Sequence, residues 1–386
     1  MLQLQLGADR PPSSASPGGE GMSPTAASKE PKEGSMANSE AQAGALTAAP
    51  PPDPACASRL AAACVAAGNF CLDQFLPLIL IAMVILGVAW PAPAIAASAT
   101  PLSEVSVGGI FFITGLGLNA AAVAALLGPR SRWALLAGLI AVLVLTPAAG
   151  LALAQLPLQP NEFALGLSLF WAMPTSASAG VMMVAAARGD APLAVALTVL
   201  TNVIGVCTAP FWAAVILGAV VPVDVASLFA RLTYTVLAPL AAGWALRTCV
   251  RGAPALAARH KLPLRMAQAF LLSLVQWRLM GQNAGTLSRL PGAQLALLCT
   301  AVLVAHAALL AACAAAAAAL PSALAPGGRK QRTAIAIMSA QKTILLMSAI
   351  VVALPQDAGV APGLLMLPAV LGHLTQTVFD SVLATL

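Results

Sequence analysis

Apolar stretches of about 20 residues recur from residue 70 onward, the length at which a helix crosses a hydrocarbon core. Ten are legible: 70–90, 105–127, 132–154, 163–187, 191–220, 229–248, 264–281, 293–320, 333–354 and 361–385. Turn-forming residues separate them, among them Trp90-Pro91, Gly128-Pro129-Arg130, Pro222, Pro291-Gly292 and Pro326-Gly327-Gly328. Of the 386 residues 60% are hydrophobic and 8% charged, whereas a soluble domain carries about 25% charged residues. So few charges cannot cover a soluble fold of this size. The same composition excludes disorder over most of the chain. This is the sequence of an all-α polytopic membrane protein.

The net charge of +6 does not form one basic patch with interleaved aromatics, so no nucleic-acid partner is expected. The basic residues alternate between loops instead. Arg130, Arg132, Arg188, Arg247, Arg251, Arg259, Lys261, Arg265, Arg329, Lys330 and Arg332 flank every second connection, and the opposite loops hold only Arg231 and Arg289. Basic loops stay on the cytoplasmic side or its organellar equivalent. Ten spans then place both termini on that side. The seventh span is the weakest, with Gln276, Arg278, Gln282 and Asn283 towards its end.

Residues 1–69 are rich in Ala, Pro, Ser and Gly and read as a disordered tail, with a targeting segment as the alternative reading. Their acids outnumber their bases, which is unusual for a transit peptide. The seven cysteines are scattered, with no CxxC pair, and read as small core residues rather than a disulfide or zinc framework.

Polar groups at bilayer depth are costly, so each needs an explanation. Two stretches concentrate them. Met173-Pro174-Thr175-Ser176-Ala177-Ser178-Ala179-Gly180 interrupts the fourth span with a proline, three hydroxyls and a glycine. It is either a capped kink or a broken, ligand-binding helix. Ser339-Ala340-Gln341-Lys342-Thr343 interrupts the ninth. Lys342 lies ten residues beyond Arg332, about 15 Å deep and near the midplane. A lysine there should face a polar cavity or a partner.

The fourth and ninth spans hold matching places in two five-span halves, residues 70–220 and 221–386, a pointer to an inverted-repeat transporter. Thr198, Thr201 and Asn202 follow in the fifth span, able to line the same cavity or to serve as interhelical glue. Asp73 and Asp380 read as interfacial residues near span ends. Gly166-Leu167-Ser168-Leu169 has the outline of a serine-protease motif, with His306 and His373 as available bases, but its fourth residue is not glycine. The glycines of Gly115-Leu116-Gly117 suit close helix packing, not a nucleotide loop.

Three segments carry a resemblance. The run Met173 to Val181, continuing through Arg188-Gly189-Asp190 to Ala209-Pro210-Phe211-Trp212, resembles the bile acid:sodium symporter family, in particular its plastid sodium/metabolite branch. Phe111-Phe112-Ile113-Thr114-Gly115-Leu116-Gly117-Leu118 and the stretch Thr333 to Leu346 agree with it. The resemblance covers about residues 70–386. It implies ten transmembrane helices in two inverted repeats, with broken helices four and nine crossing, and a core that moves against a panel. Three departures stand out, the first being that Ser178-Ala179-Gly180 does not keep the family's Ser-Asn pair. Ile337 falls where sodium-coupled members carry a glutamate, and Lys342 replaces an asparagine, whereas Gln341 and Thr198 are kept.

The expected function is secondary-active transport of a small organic anion or metabolite through the lipid bilayer, not enzyme catalysis. The rival is a non-transporting regulator of ion homeostasis on the same scaffold. Substrate or ion binding is expected at Thr175, Ser176, Ser178, Thr198, Asn202, Gln341, Lys342 and Thr343. No cofactor or bound metal is expected, with sodium or a proton as possible coupling ion. The resemblance points to the plastid envelope, with the plasma membrane as the alternative.

Overall fold

The computed structural model describes residues 75–118, 128, 131–176, 179–218, 224–355 and 359–383. Helix is the only regular structure among them. The helices are α1 (Phe75–Ala89), α2 (Pro91–Ala97), α3 (Leu102–Gly117), α4 (Arg132–Gln155), α5 (Glu162–Trp171), α6 (Ala179–Ala186) and α7 (Ala191–Leu217). There follow α8 (Val225–Cys249), α9 (Lys261–Gln282), α10 (Gly292–Ala319), α11 (Arg329–Ala340), α12 (Ile344–Ala353) and α13 (Pro362–Leu383). Short helices Ala253–Arg259 and Ala284–Leu287 lie in connections.

Among the described residues, six helical elements are long and apolar enough to cross a membrane, and seven if α1 and α2, bent by 96°, count as one. Pro91 opens α2 directly after that bend, where its missing N–H costs nothing. The predicted spans 70–90, 105–127, 163–187, 191–220 and 361–385 run partly outside the described residues, and Asp73 and Ser178 lie outside them.

The helices associate in two groups. In one, α1 packs along α9, α3 packs along α8, and α9 also contacts α3. In the other, α13 lies against α5 and α10, α10 against α11, and α7 against α4 and α6. A large core runs through α5, α12 and α13, around Phe163, Leu167, Leu169, Met347 and Leu365. A smaller one, around Leu193, Leu197, Ile335 and Met338, joins α4, α6, α7 and α11.

Glycine allows the α3–α8 crossing. A Cβ at Gly243 would stand 2.1 Å from the Phe112 carbonyl oxygen, and one at Gly115 would stand 2.2 Å from that of Leu240. Backbones that meet this closely leave no space for a side chain. Gly117, in contrast, has nothing near its missing Cβ, so packing explains only the first of the two glycines. Gly243→Val should therefore lower the thermal midpoint in detergent by an amount equivalent to about 1–3 kcal/mol of overpacking. Gly285→Ala, at a position open to space, should leave it in place. Equal midpoints for the two variants would contradict this packing.

The described cysteines depart from expectation. Cys207, Cys249 and Cys299 are exposed and Cys313 is half-buried, so they are not core residues. In apolar spans the exposed surface faces lipid, which accepts a thiol as readily as a core does. The weak seventh span is a continuous helix, α9, because its polar groups have partners. Arg278 donates to Ser103 Oγ at 2.6 Å and to the Ser98 carbonyl at 3.3 Å, and Gln276 Nε2 donates to Ser348 Oγ at 2.9 Å.

Candidate functional site: the crossing of two interrupted helices

Two breaks meet inside the second helix group. The first lies between α5 and α6, where Pro174, Thr175 and Ser176 are non-helical. The second separates α11 from α12 at Gln341, Lys342 and Thr343. The Thr343 N–H donates to the Pro174 carbonyl at 2.9 Å, so each break supplies a partner that the other lacks. Non-helical backbone at membrane depth survives only when its polar groups are satisfied in this way. Asn202 of α7 adds a second tie, its Nδ2 donating to the Thr175 carbonyl at 3.0 Å and to the Thr198 carbonyl at 2.8 Å. Thr343 also caps α12, its hydroxyl accepting from Leu345 N.

Gln376 of α13 replaces the helical partners of Lys342. Its Oε1 accepts the Lys342 N–H at 3.0 Å, and its Nε2 donates to the Lys342 carbonyl at 2.6 Å. One side-chain amide thus satisfies both main-chain groups that the interruption frees. His373 Nδ1 lies 3.1 Å from the same Nε2.

The Lys342 side chain is 1% exposed, and its ammonium reaches α4. There it donates to Thr146 Oγ1 at 2.5 Å and to the Val142 carbonyl at 3.4 Å. These acceptors exist because α4 carries a proline. Pro147 has no N–H to give, and the helix widens into a π turn over Ala141–Leu145. Thr146 N–H then bonds Ala141 rather than Val142, so the Val142 carbonyl accepts from the Thr146 hydroxyl at 3.0 Å and from the Lys342 ammonium. The Leu143 carbonyl accepts from Trp212 Nε1 at 3.0 Å.

An acid–base cluster sits beside the second break. His306 Nε2 of α10 lies 2.8 Å from Asp380 Oδ1, and each residue is 5% exposed. The Gln341 side-chain amide donates to the other carboxylate oxygen and contacts Met183 Sδ at 3.1 Å. Asp380 is therefore a buried, paired residue and not the interfacial one that its place near a span end suggests. A void of about 10 Å³, the size of a single water, borders both Lys342 and His306.

The structure brings most of the expected residues together. Thr175, Ser176, Asn202, Gln341 and Thr343 line the crossing, and Ser178 lies outside the described residues. Thr198 contributes its carbonyl to Asn202, whereas its hydroxyl turns back to the Ala194 carbonyl. Lys342 belongs to the crossing by its backbone, but both hydrogen-bond partners of its ammonium are on α4 rather than beside Thr175 and Ser176. Several buried polar atoms at the crossing have no protein partner: Thr175 Oγ1, Ser339 Oγ and Gln341 Oε1. Polar atoms left unpaired at such depth are costly, so each needs an explanation beyond the protein's own hydrogen bonds.

Sequence reasoning missed Thr146, Gln376 and the pairing of His306 with Asp380. His373, Gln376 and Asp380 recur at i, i+3 and i+7, one polar stripe along an apolar span. That stripe was the available signal. The protease outline gains no support, since Ser168 Oγ is buried and makes no hydrogen bond to either His306 or His373.

Comparison with known proteins agrees with this architecture. The SBF-like CPA transporter family (DUF4137) matches residues 73–386. "Probable sodium/metabolite cotransporter BASS4, chloroplastic" of Arabidopsis thaliana is 36% identical over 327 residues, 82% of this chain and 73% of that protein. The protein of the same name from Oryza sativa subsp. indica is 33% identical over 342 residues, 86% of this chain and 79% of its own length. A match through both breaks and both helix groups decides the assignment. The chain belongs to the SBF-like CPA transporter family, that of the bile acid:sodium symporters, and is a multi-pass secondary-active transporter and not an enzyme.

Proposed function

We propose that this protein carries a small organic anion across the plastid envelope, and that the Lys342 ammonium, held against α4, fills the role of a coupling cation. The supporting observation is the cradle of that ammonium. The Thr146 hydroxyl and the Val142 carbonyl are oxygen donors of the kind that hold a bare cation, and here a side chain occupies them. A lysine has three hydrogens to donate, and these acceptors take two. Among the described residues no carboxylate lies within ion-pair distance of it. An anionic substrate supplies the missing counter-charge. The names of the relatives support a metabolite as cargo and the plastid as location. They also name sodium, and in this chain the fixed charge of Lys342 makes the metal ion dispensable.

The reading includes ten spans in two inverted five-helix halves, residues 70–220 and 221–386, with the tail 1–69 outside the transport unit. In each half the fourth span is the interrupted one. Substrate access alternates as the group that holds the crossing moves against the group of α1, α3, α8 and α9. Uptake of labelled carboxylates and sulfonates into vesicles holding the purified protein tests the transport reading. Saturable uptake above empty vesicles is expected with one class, and no uptake of any would favour a regulator. The topology has its own test. Tags at the two termini should be cut together when protease reaches one face, whereas opposite accessibility would mean an odd number of spans.

A further inference from the structure

A cleft of about 440 Å³ opens between α6, α10 and α11, apart from the Lys342 cradle. That volume lies within the range of small-molecule sites, about 300–1,000 Å³. Its walls are short apolar side chains, chiefly Ala187, Ala314, Ala317, Ala318 and Ala336. Two cations also line it, Arg329 and Arg332. Arg332 gives one bond, from Nη2 to the Leu320 carbonyl at 2.7 Å, and its Nε is buried with no partner. Arg329 is exposed at the first position of α11, whose opening turn has no acid and no side-chain cap. Asp380 also lines the cleft, but its carboxylate is already engaged by His306 and Gln341. Free positive charge is therefore confined to the arginines.

Through Ala318 the cleft also borders an exposed apolar face. On α10, Val304, Ala308, Ala311, Ala315 and Ala318 follow at helical spacing and are all exposed. That face is apolar along its length and lies against lipid. Arg329 and Arg332 begin a span on the basic side, at the level of lipid headgroups. A phosphate offers the oxygen geometry that guanidinium forks match. We propose that this cleft binds an anionic phospholipid from the surrounding bilayer, its phosphate held by Arg329 and Arg332 and one acyl chain lying in the alanine-walled groove. The lipid would wedge α6 and α11, the halves that carry the two breaks, and so load the moving part of the transporter from the side.

Native mass spectrometry of the full chain, extracted from bilayers of phosphatidylcholine with a minor share of phosphatidylglycerol, tests this without any transport assay. Wild-type protein should retain phosphatidylglycerol selectively. Arg329→Gln with Arg332→Gln should lower the retained fraction at least about tenfold, as loss of charge-assisted bonds implies. Lys330→Gln, on the same turn but outside the cleft, should not lower it. Ala318→Phe keeps both arginines and blocks the groove, so it should also lose the lipid, and it serves if the double variant does not fold. Excess inorganic phosphate should fail to displace the lipid. Unchanged retention in the arginine variant or in Ala318→Phe would overturn the proposal. Displacement by phosphate alone would assign the arginines to a free anion instead.

Discussion

Lys342→Ala is expected to reduce uptake to the level of empty vesicles while expression and membrane insertion stay normal. Truncating one partner of a buried, hydrogen-bonded charge contact costs about 2–5 kcal/mol, so the loss should be about 30-fold or more. Lys342→Met separates charge from packing, because methionine fills a similar volume and adapts to irregular space. It should be as inactive as the alanine variant. Backbone support does not change in either, since Gln376 holds the main chain of residue 342 and not its side chain. Normal uptake by Lys342→Met would reduce the lysine to a structural residue.

The second large effect is on stability. Asp380→Leu removes the carboxylate shared by His306 and Gln341 and leaves both polar groups buried without it. Breaking one side of a buried pair costs about 3–5 kcal/mol, whereas replacing both partners by apolar groups is often neutral. The single variant should unfold on the order of 10 °C below wild type in detergent. The double variant His306→Leu with Asp380→Leu should recover a large part of that loss. Because the two residues are in contact, their effects should be non-additive by 0.5–3 kcal/mol, roughly. Additive effects, or a single variant as stable as wild type, would show that the pair does not hold α10 to α13.

The breaks were legible because each interrupts an apolar run with a residue that a membrane helix tolerates poorly. Pro174 removes a backbone donor, and Lys342 is too deep to reach water easily. The partners of Lys342 were not legible. Thr146 is an ordinary threonine in an apolar run, and only the π turn before Pro147 exposes an acceptor beside it. The His306–Asp380 pair joins residues 74 apart in sequence, with no local pattern to connect them. Asp380 also sits near the end of its span, where a carboxylate is usually solvated. The seventh span looked weak because Arg278 counts against a membrane helix, yet Ser103 and Ser98 lie in place to receive it. Hydropathy registers the charge and cannot see the partners.

In the proposed transport cycle a fixed ammonium stands where a mobile cation would otherwise bind. Two unit positive charges 4 Å apart repel by about 4 kcal/mol at an effective dielectric near 20, so a sodium ion beside Lys342 would be strongly disfavoured. The most direct measurement is the initial rate of substrate uptake by wild-type protein in sealed vesicles as external sodium is replaced by choline. The rate should change little across the whole replacement. A steep requirement for sodium would contradict the account and show that the ion binds despite Lys342.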